Sequence, residues 1–276
     1  AVSHGHAHPE LIKVLHRQSE LLGLTSRAFY TNTLGPFLQK LIDMSGLEVA
    51  LPMNTGAEAV ETAIKAARRW AYKTKKVEEN KAEIIVVEGN INGRTTTIIS
   101  FSSDNESREG FGPYTPGFRT IKYNNLGSLK DAITKNTAAL LVEPIQGEAG
   151  IIIPDGKWLP EVRKICTDNN ILLILDEIQS GLGRTGKMFA FEHSSIKPDG
   201  LILGKALGGG LLPISSFLST SEVMKWFVPG SHGSTFGGYP LAAAIGKRSL
   251  DVIEEEKLVD NSNQQDNYFL EELKNI

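Results

Sequence analysis

Four short and almost unbroken apolar runs constrain this chain more than any other feature: residues 84–87, 138–142, 171–175 and 201–203. A strand that is apolar on both faces belongs inside a parallel sheet with helices covering each side. Helical spacing fills the intervals, so the alternation predicts an α/β fold with a mostly parallel sheet and helices on both faces. Pro9 opens one amphipathic stretch, with Leu11, Ile12, Val14, Leu15 and Leu22 on its apolar side and Gly23 after it. A second helix is expected over 34–45. Val49-Ala50-Leu51 reads as a short strand, and Thr55-Gly56-Ala57-Glu58 has the form of a capping box that opens a helix through Trp70. Further helices are expected near 126–135, 158–169, 238–255 and 263–274. The Gly/Pro-rich stretches 110–117 and 204–213 read as shaped loops between elements. There is no internal repeat, and no domain boundary is evident before about residue 250.

Composition excludes several classes. The 276 residues are 41% hydrophobic and 22% charged, which describes a globular chain of one large or two modest domains. The net charge of -3 gives no bulk cationic field for nucleic acid or an anionic membrane. The apolar runs reach only five residues, as in 171–175, against the roughly 20 a membrane-spanning helix needs. Cys166, the single cysteine, shares helical spacing with Leu159, Val162 and Ile165 and reads as a core residue. A reducing compartment such as the cytoplasm is expected, with the mitochondrial matrix also open. The chain starts on Ala1 with no charged leader or apolar signal core, and reads as an internal segment of something longer.

Ligands of parallel α/β sheets bind beyond the carboxyl ends of the strands, so the polar residues that end apolar runs carry the candidate chemistry. Run 171–175 ends in Asp176-Glu177, and run 201–203 ends in Gly204-Lys205 before Gly208-Gly209-Gly210. A lysine held away from water reacts with carbonyls, and an acid beside it suits a ring nitrogen. Pyridoxal phosphate chemistry needs these two groups and a phosphate cradle. The cradle has two candidates, the helix start at Thr55, Gly56 and Ala57 and the hydroxyl pair Ser234-Thr235. Gly181 to Lys187 also fits the G-x-x-x-x-G-K pattern of nucleotide hydrolases. Three features oppose that reading: Met188 stands where a magnesium-binding hydroxyl is needed, the segment follows the acidic strand directly, and no clear helix follows it. His4-x-His6-x-His8 precedes Pro9 and reads as a polar helix-entry turn, so no metal centre is expected.

The ordered set Met53-Asn54-Thr55-Gly56-Ala57-Glu58-Ala59, Gly93-Arg94-Thr95, Glu143-Pro144-Ile145-Gln146-Gly147-Glu148, Asp176 to Gly186, Gly204-Lys205-Ala206 and His232 to Gly238 resembles the class III, fold type I pyridoxal-phosphate aminotransferases over practically the whole chain. Thr25 to Tyr30, Gly110 to Pro113 and Pro229 to His232 resemble the ornithine-using branch of that family. The G-x-x-x-x-G-K segment is part of the family pattern. The resemblance implies that Lys205 carries pyridoxal 5'-phosphate as a Schiff base and then moves the proton, while Asp176 keeps the pyridine nitrogen protonated. It implies that Gln179 lies by the ring hydroxyl, that Thr55, Gly56, Ala57 and Ser234 serve the phosphate, and that Thr235 reaches the phosphate of a partner subunit in a homodimer. Arg94 and Glu148 would face the amino-acid and 2-oxo-acid substrates. The implied reaction passes the δ-amino group of L-ornithine to 2-oxoglutarate. Relatives acting on N-acetylornithine or 4-aminobutyrate share the cofactor motifs, and so would an inactive truncated homologue. Three positions depart from the pattern: Ile91 stands where an aromatic normally covers the cofactor ring, Asn92 where a bulkier residue is usual, and Tyr239 where an asparagine normally precedes Pro240. The family extends past both ends of this sequence, so 1–250 is expected to be the cofactor-binding large domain and 251–276 the start of a small C-terminal one.

Overall fold

The computed structural model describes residues 2–276, so the expectation attached to Ala1 lies outside the described residues. Helices α1 (Pro9–Leu21) and α2 (Leu34–Ser45) precede strand β1 (Val49–Met53) and helix α3 (Gly56–Trp70). Strand β2 (Glu83–Val87), the single turn α4 (Thr96–Ile99), β3 (Phe118–Ile121), α5 (Leu126–Ala132) and β4 (Thr137–Val142) follow. The chain continues through α6 (Trp158–Asp168), β5 (Leu172–Asp176), β6 (Gly200–Leu203), β7 (Ser215–Ser219), α7 (Ser221–Met224), α8 (Pro240–Glu255) and α9 (Leu258–Lys274).

All seven strands form one sheet in the order β1-β7-β6-β5-β4-β2-β3. Neighbours from β6 through β5, β4 and β2 to β3 run parallel, while β7 is antiparallel to both β6 and β1. The mostly parallel α/β architecture expected from the sequence is therefore present. Every residue of β4, β5 and β6 is buried, because helices pack on both faces. Side chains alternate between those faces: Ile84 and Val86 of β2 join α3 in one core, whereas Ile85 and Val87 join α2, α6 and α8 in the other. Cys166 is buried in that second core, as its spacing implied.

Two strands were not legible in the sequence. β7 is rich in serine, yet Ser215, Ser216 and Ser219 are all within 1% of full burial. Their hydroxyls donate to the backbone carbonyls of Thr55, Leu51 and Asp199, which removes the cost of burying them. β3 is a four-residue edge strand with Arg119 and Thr120 exposed. Pro52 sits within β1, which is tolerated because β1 is an edge strand.

The helix starts follow their local chemistry. Thr55 caps α3 with its hydroxyl accepting from Glu58 N at 3.2 Å, and the Glu58 carboxylate takes Thr55 N at 2.7 Å. The capping box read from the sequence is thus formed. His8 caps α1 through Nδ1, which accepts from Glu10 N at 3.3 Å, while His4 turns inward to Ser249. The helix expected over 263–274 begins earlier, at Leu258, and α9 has no buried residue. The one expected over 126–135 ends at Ala132, and α8 passes residue 250 without a break. Among the described residues no helix is long and apolar enough to cross a membrane.

Candidate active site

The carboxyl ends of β1, β2, β4, β5 and β6 lie along one edge of the sheet, since β7 alone runs the other way. Each end delivers one piece of the site. β1 leads into the capped start of α3. β2 leads into the loop 89–95, β4 into Glu143, β5 terminates on Asp176, and β6 is followed two residues later by Lys205.

Of the residues singled out in the sequence, Gly56, Ala57, Ile91, Glu148, Asp176, Gln179 and Lys205 line a single cavity of about 270 Å³. Asn92 and Glu143 line it as well, and sequence reasoning had not placed either among the site residues. Glu143 was visible as the polar residue that ends the apolar run 138–142, the same signal that singled out Asp176. A wider cleft of about 900 Å³ shares Glu148, Gln179 and Lys205 with this cavity and adds Arg184 and His193, which gives room for a small-molecule substrate.

Asp176 is 4% exposed. Its Oδ2 accepts from Asn92 Nδ2 at 2.6 Å and its Oδ1 from Ile178 N at 3.0 Å. Burial pushes its pKa up to about 6, opposed by these two hydrogen bonds and by the charge of Lys205. Glu143, 6% exposed, accepts from Ile91 N at 2.9 Å. Burial first and the neighbouring Asp176 second push Glu143 up to about 8. Lys205 is exposed to the cavity and holds a positive φ of 44° at the start of a short 3-10 turn. A non-glycine residue in that region is strained, a condition that clusters at functional sites.

The glycines serve distinct ends. A Cβ on Gly147 would lie 1.5 Å from Gln179 Oε1, so this glycine makes the space from which Gln179 Nε2 donates to Glu148 Oε1 at 2.9 Å. In the triple glycine, a Cβ at Gly209 would lie 2.4 Å from Leu11 Cδ1, and one at Gly210 would lie 3.2 Å from Val2. The close approach at this turn is therefore made by the N-terminal segment.

The residues present fit pyridoxal phosphate. The N–H groups of Gly56 and Ala57 have no acceptor among the described residues, and they stand at the positive end of a 15-residue helix, where an anion is favoured. A buried carboxylate and an amine complete the donor set.

Three of the singled-out residues lie elsewhere. Ser234 and Thr235 line an open cleft of about 800 Å³ with Arg27. The Ser234 hydroxyl is engaged by Asn54 Nδ2 and Gly237 N at 2.9 and 3.0 Å, and its carbonyl by Arg27. The Thr235 hydroxyl has no partner among the described residues. Arg94 is exposed and lines none of the three cavities. Thr55 is exposed at the helix cap beside the main cavity.

Comparison with known proteins shows the family. The family pattern of the class-III aminotransferases matches residues 1–276. Ornithine aminotransferase of Brevibacillus brevis is 56% identical over the whole chain, which covers 69% of that protein, and that of Bacillus subtilis is 55% identical with the same coverage. The crystal structure of ornithine aminotransferase from Toxoplasma gondii superposes with a TM-score of 0.96 at 45% identity, over 97% of this chain and 64% of that one. A second structure of the Toxoplasma gondii protein, at a TM-score of 0.98 and 44% identity, covers 99% of this chain and 65% of that one and holds PLP at partial occupancy in its active site. Acetylornithine aminotransferase from Elizabethkingia anophelis superposes at 0.88 with 43% identity, over 99% of this chain and 66% of that one. The chain thus spans about two thirds of the length of the relatives it matches. With the family pattern matched over every residue and relatives more than half identical along its whole length, this chain belongs to the class-III aminotransferases.

Proposed function

We propose that this chain forms the cofactor-binding part of an ornithine aminotransferase, which passes the δ-amino group of L-ornithine to 2-oxoglutarate and yields glutamate 5-semialdehyde and glutamate. The observation that carries the reading is the single cavity in which Lys205, Asp176 and the free N–H groups of Gly56 and Ala57 meet. Bound there, pyridoxal 5'-phosphate supplies an electron sink for the substrate's carbanion.

The chain's own residues do the rest. The first turn of α3 binds the phosphate through Gly56 and Ala57, with Thr55 at its cap. Asp176, buried and favoured in its charged form by Asn92 Nδ2 and Ile178 N, would hold a proton on the ring nitrogen. The Lys205 amine would anchor the cofactor and, once freed by substrate, would move a proton between the amine-bearing carbon of the substrate and the cofactor carbon. Gln179 and Ile91 line the same cavity, where Gln179 would lie by the ring hydroxyl and Ile91 would cover the ring. Glu148, fixed by Gln179, faces the substrate, and Arg94 takes a substrate carboxylate through its planar fork. Thr235, whose hydroxyl has no partner among the described residues, would reach the phosphate of a partner subunit beside Ser234, which would make the working unit a homodimer. Residues 1–250 act as the large domain and 251–276 begin a small one. The setting is a reducing compartment, the cytoplasm in the first place.

The test loads the protein with pyridoxal phosphate, follows its visible absorption band and reduces it with borohydride before peptide mapping. The label is expected on Lys205, and L-ornithine is expected to bleach the band with formation of glutamate 5-semialdehyde. A label on Lys187 or any other lysine overturns the assignment. Bleaching by N-acetylornithine or 4-aminobutyrate in preference to ornithine would move the chain to another branch of the family.

A further inference from the structure

Three carboxyl groups, Asp176, Glu143 and Glu148, face one small cavity, and of these Asp176 and Glu143 are nearly buried while Glu148 is exposed. Like charges in such a site compete, and one of the pair retains the proton. The cation available to both is Lys205, which pulls on each of them. It therefore does not decide which one is ionised.

The hydrogen bonds do distinguish them. Glu143 receives one backbone N–H, from Ile91, and Asp176 likewise receives one, from Ile178. The difference is the side-chain amide of Asn92, whose Nδ2 lies 2.6 Å from Asp176 Oδ2. An amide N–H directed at a carboxylate oxygen favours the charged form. Asn92 is 4% exposed, so little water competes for that bond. The backbone beside it is also fixed. Gly93 has φ 132°, and a Cβ there would lie 2.9 Å from Ile98 Cδ1 and 3.0 Å from Ala57 Cβ, so the loop is seated against the first turn of α3.

We propose that Asn92 is a positioning residue that assigns the cavity's negative charge to Asp176 instead of Glu143, and thereby keeps the ring nitrogen of the bound cofactor protonated. This rests on the reading, given above, that Asp176 meets that nitrogen. Asn92 carries no titratable proton of its own, so its donation is the same at every pH.

The test uses the holoprotein loaded with cofactor labelled with ¹⁵N in the ring, whose nitrogen chemical shift is followed against pH. In the wild type the nitrogen is expected to stay protonated through the neutral range. Asn92→Leu, similar in volume and without a donor, should lower the pH at which that proton is lost by about one to two units, a 10- to 100-fold change expected for one hydrogen bond to a charged group. Asn92→His should restore the wild-type curve, because its Nδ1 is bonded to Cγ as the asparagine Nδ2 is. A wild-type titration in Asn92→Leu overturns the proposal. Asp176→Asn separates the two readings: an unmoved nitrogen signal in that variant refutes the role of Asp176 itself, whatever Asn92 does. Should Asn92→Leu fail to retain cofactor, the infrared carboxylic C=O band of the cofactor-free protein gives the answer. Glu177, also raised to about 8, contributes a constant band, so the reading is taken from difference spectra: wild type minus Glu143→Gln should carry a carboxylic C=O band. In an Asn92→Leu background a C=O band that appears in the difference against Asp176→Asn and is missing from the difference against Glu143→Gln supports the proposal, and one that remains in the Glu143→Gln difference overturns it.

Discussion

Restoring an aromatic ring at position 91 should tighten cofactor binding, and the structure sets the size of the effect. Ile91 lines the main cavity yet remains 41% exposed. Its N–H is held by Glu143 Oε1 at 2.9 Å, so the side chain can be exchanged while the backbone stays in place. Isoleucine already supplies apolar cover, and the gain is limited to what a ring adds beyond area, about 0.5–1.5 kcal/mol for an aromatic pair. With a factor of ten in affinity at about 1.4 kcal/mol, Ile91→Phe should bind pyridoxal phosphate roughly two- to tenfold more tightly. The opposing term, overpacking at about 1–3 kcal/mol, belongs to closed sites, and a side chain with this much exposure is not in one. The assay titrates cofactor into the apo protein by fluorescence quenching, with circular dichroism to establish that the variant folds. Unchanged or weaker affinity in a well-folded Ile91→Phe protein refutes the reasoning, and would mean that the loop 89–95 does not lay this position over the ring.

Other residues make separate demands. Gly147→Ala should expel Gln179 from its place, since the new Cβ would lie 1.5 Å from Oε1, and cofactor affinity should fall while the fold persists; wild-type affinity would show that Gln179 does not touch the cofactor. Thr55→Ala removes the α3 cap and should cost about 0.5–2 kcal/mol, read as a lower urea midpoint, and an unchanged midpoint contradicts the capping role. Burial raises Glu143 and Glu177 to about 8 from an ordinary value of 4.5. A raised carboxyl is most stabilising below its unfolded pKa, and that contribution is lost as pH rises through the folded value. The Tm of the apo protein should therefore fall between about pH 5 and 8, and Glu143→Gln should flatten part of the fall. A Tm that rises across this window, or a variant profile parallel to the wild type, counts against the raised values.

The sequence by itself determined the class of fold and singled out Asp176 and Lys205, which the structure brings to one cavity. The runs ending in Asp176 and followed by Lys205 were legible because a strand buried on both faces leaves a continuous apolar signature that one polar residue interrupts. The α3 cap was legible for a related reason, since Thr55 and Glu58 satisfy each other within four residues. Both are local effects. The tertiary structure alone decided the rest. The serines of β7 look polar until α3, β1 and β6 supply the carbonyls that accept their protons, and the antiparallel pairing of β7 turns the sheet's last strands. Asn92 lies 84 positions from Asp176 and Glu148 lies 31 from Gln179, and no spacing rule links residues carried on separate loops. Thr235, adjacent in motif order to the cofactor residues, is placed in a different cleft. The division of charge between Glu143 and Asp176 is likewise absent from the sequence, because desolvation is imposed by every element that closes over the cavity and has no counterpart in the extended chain.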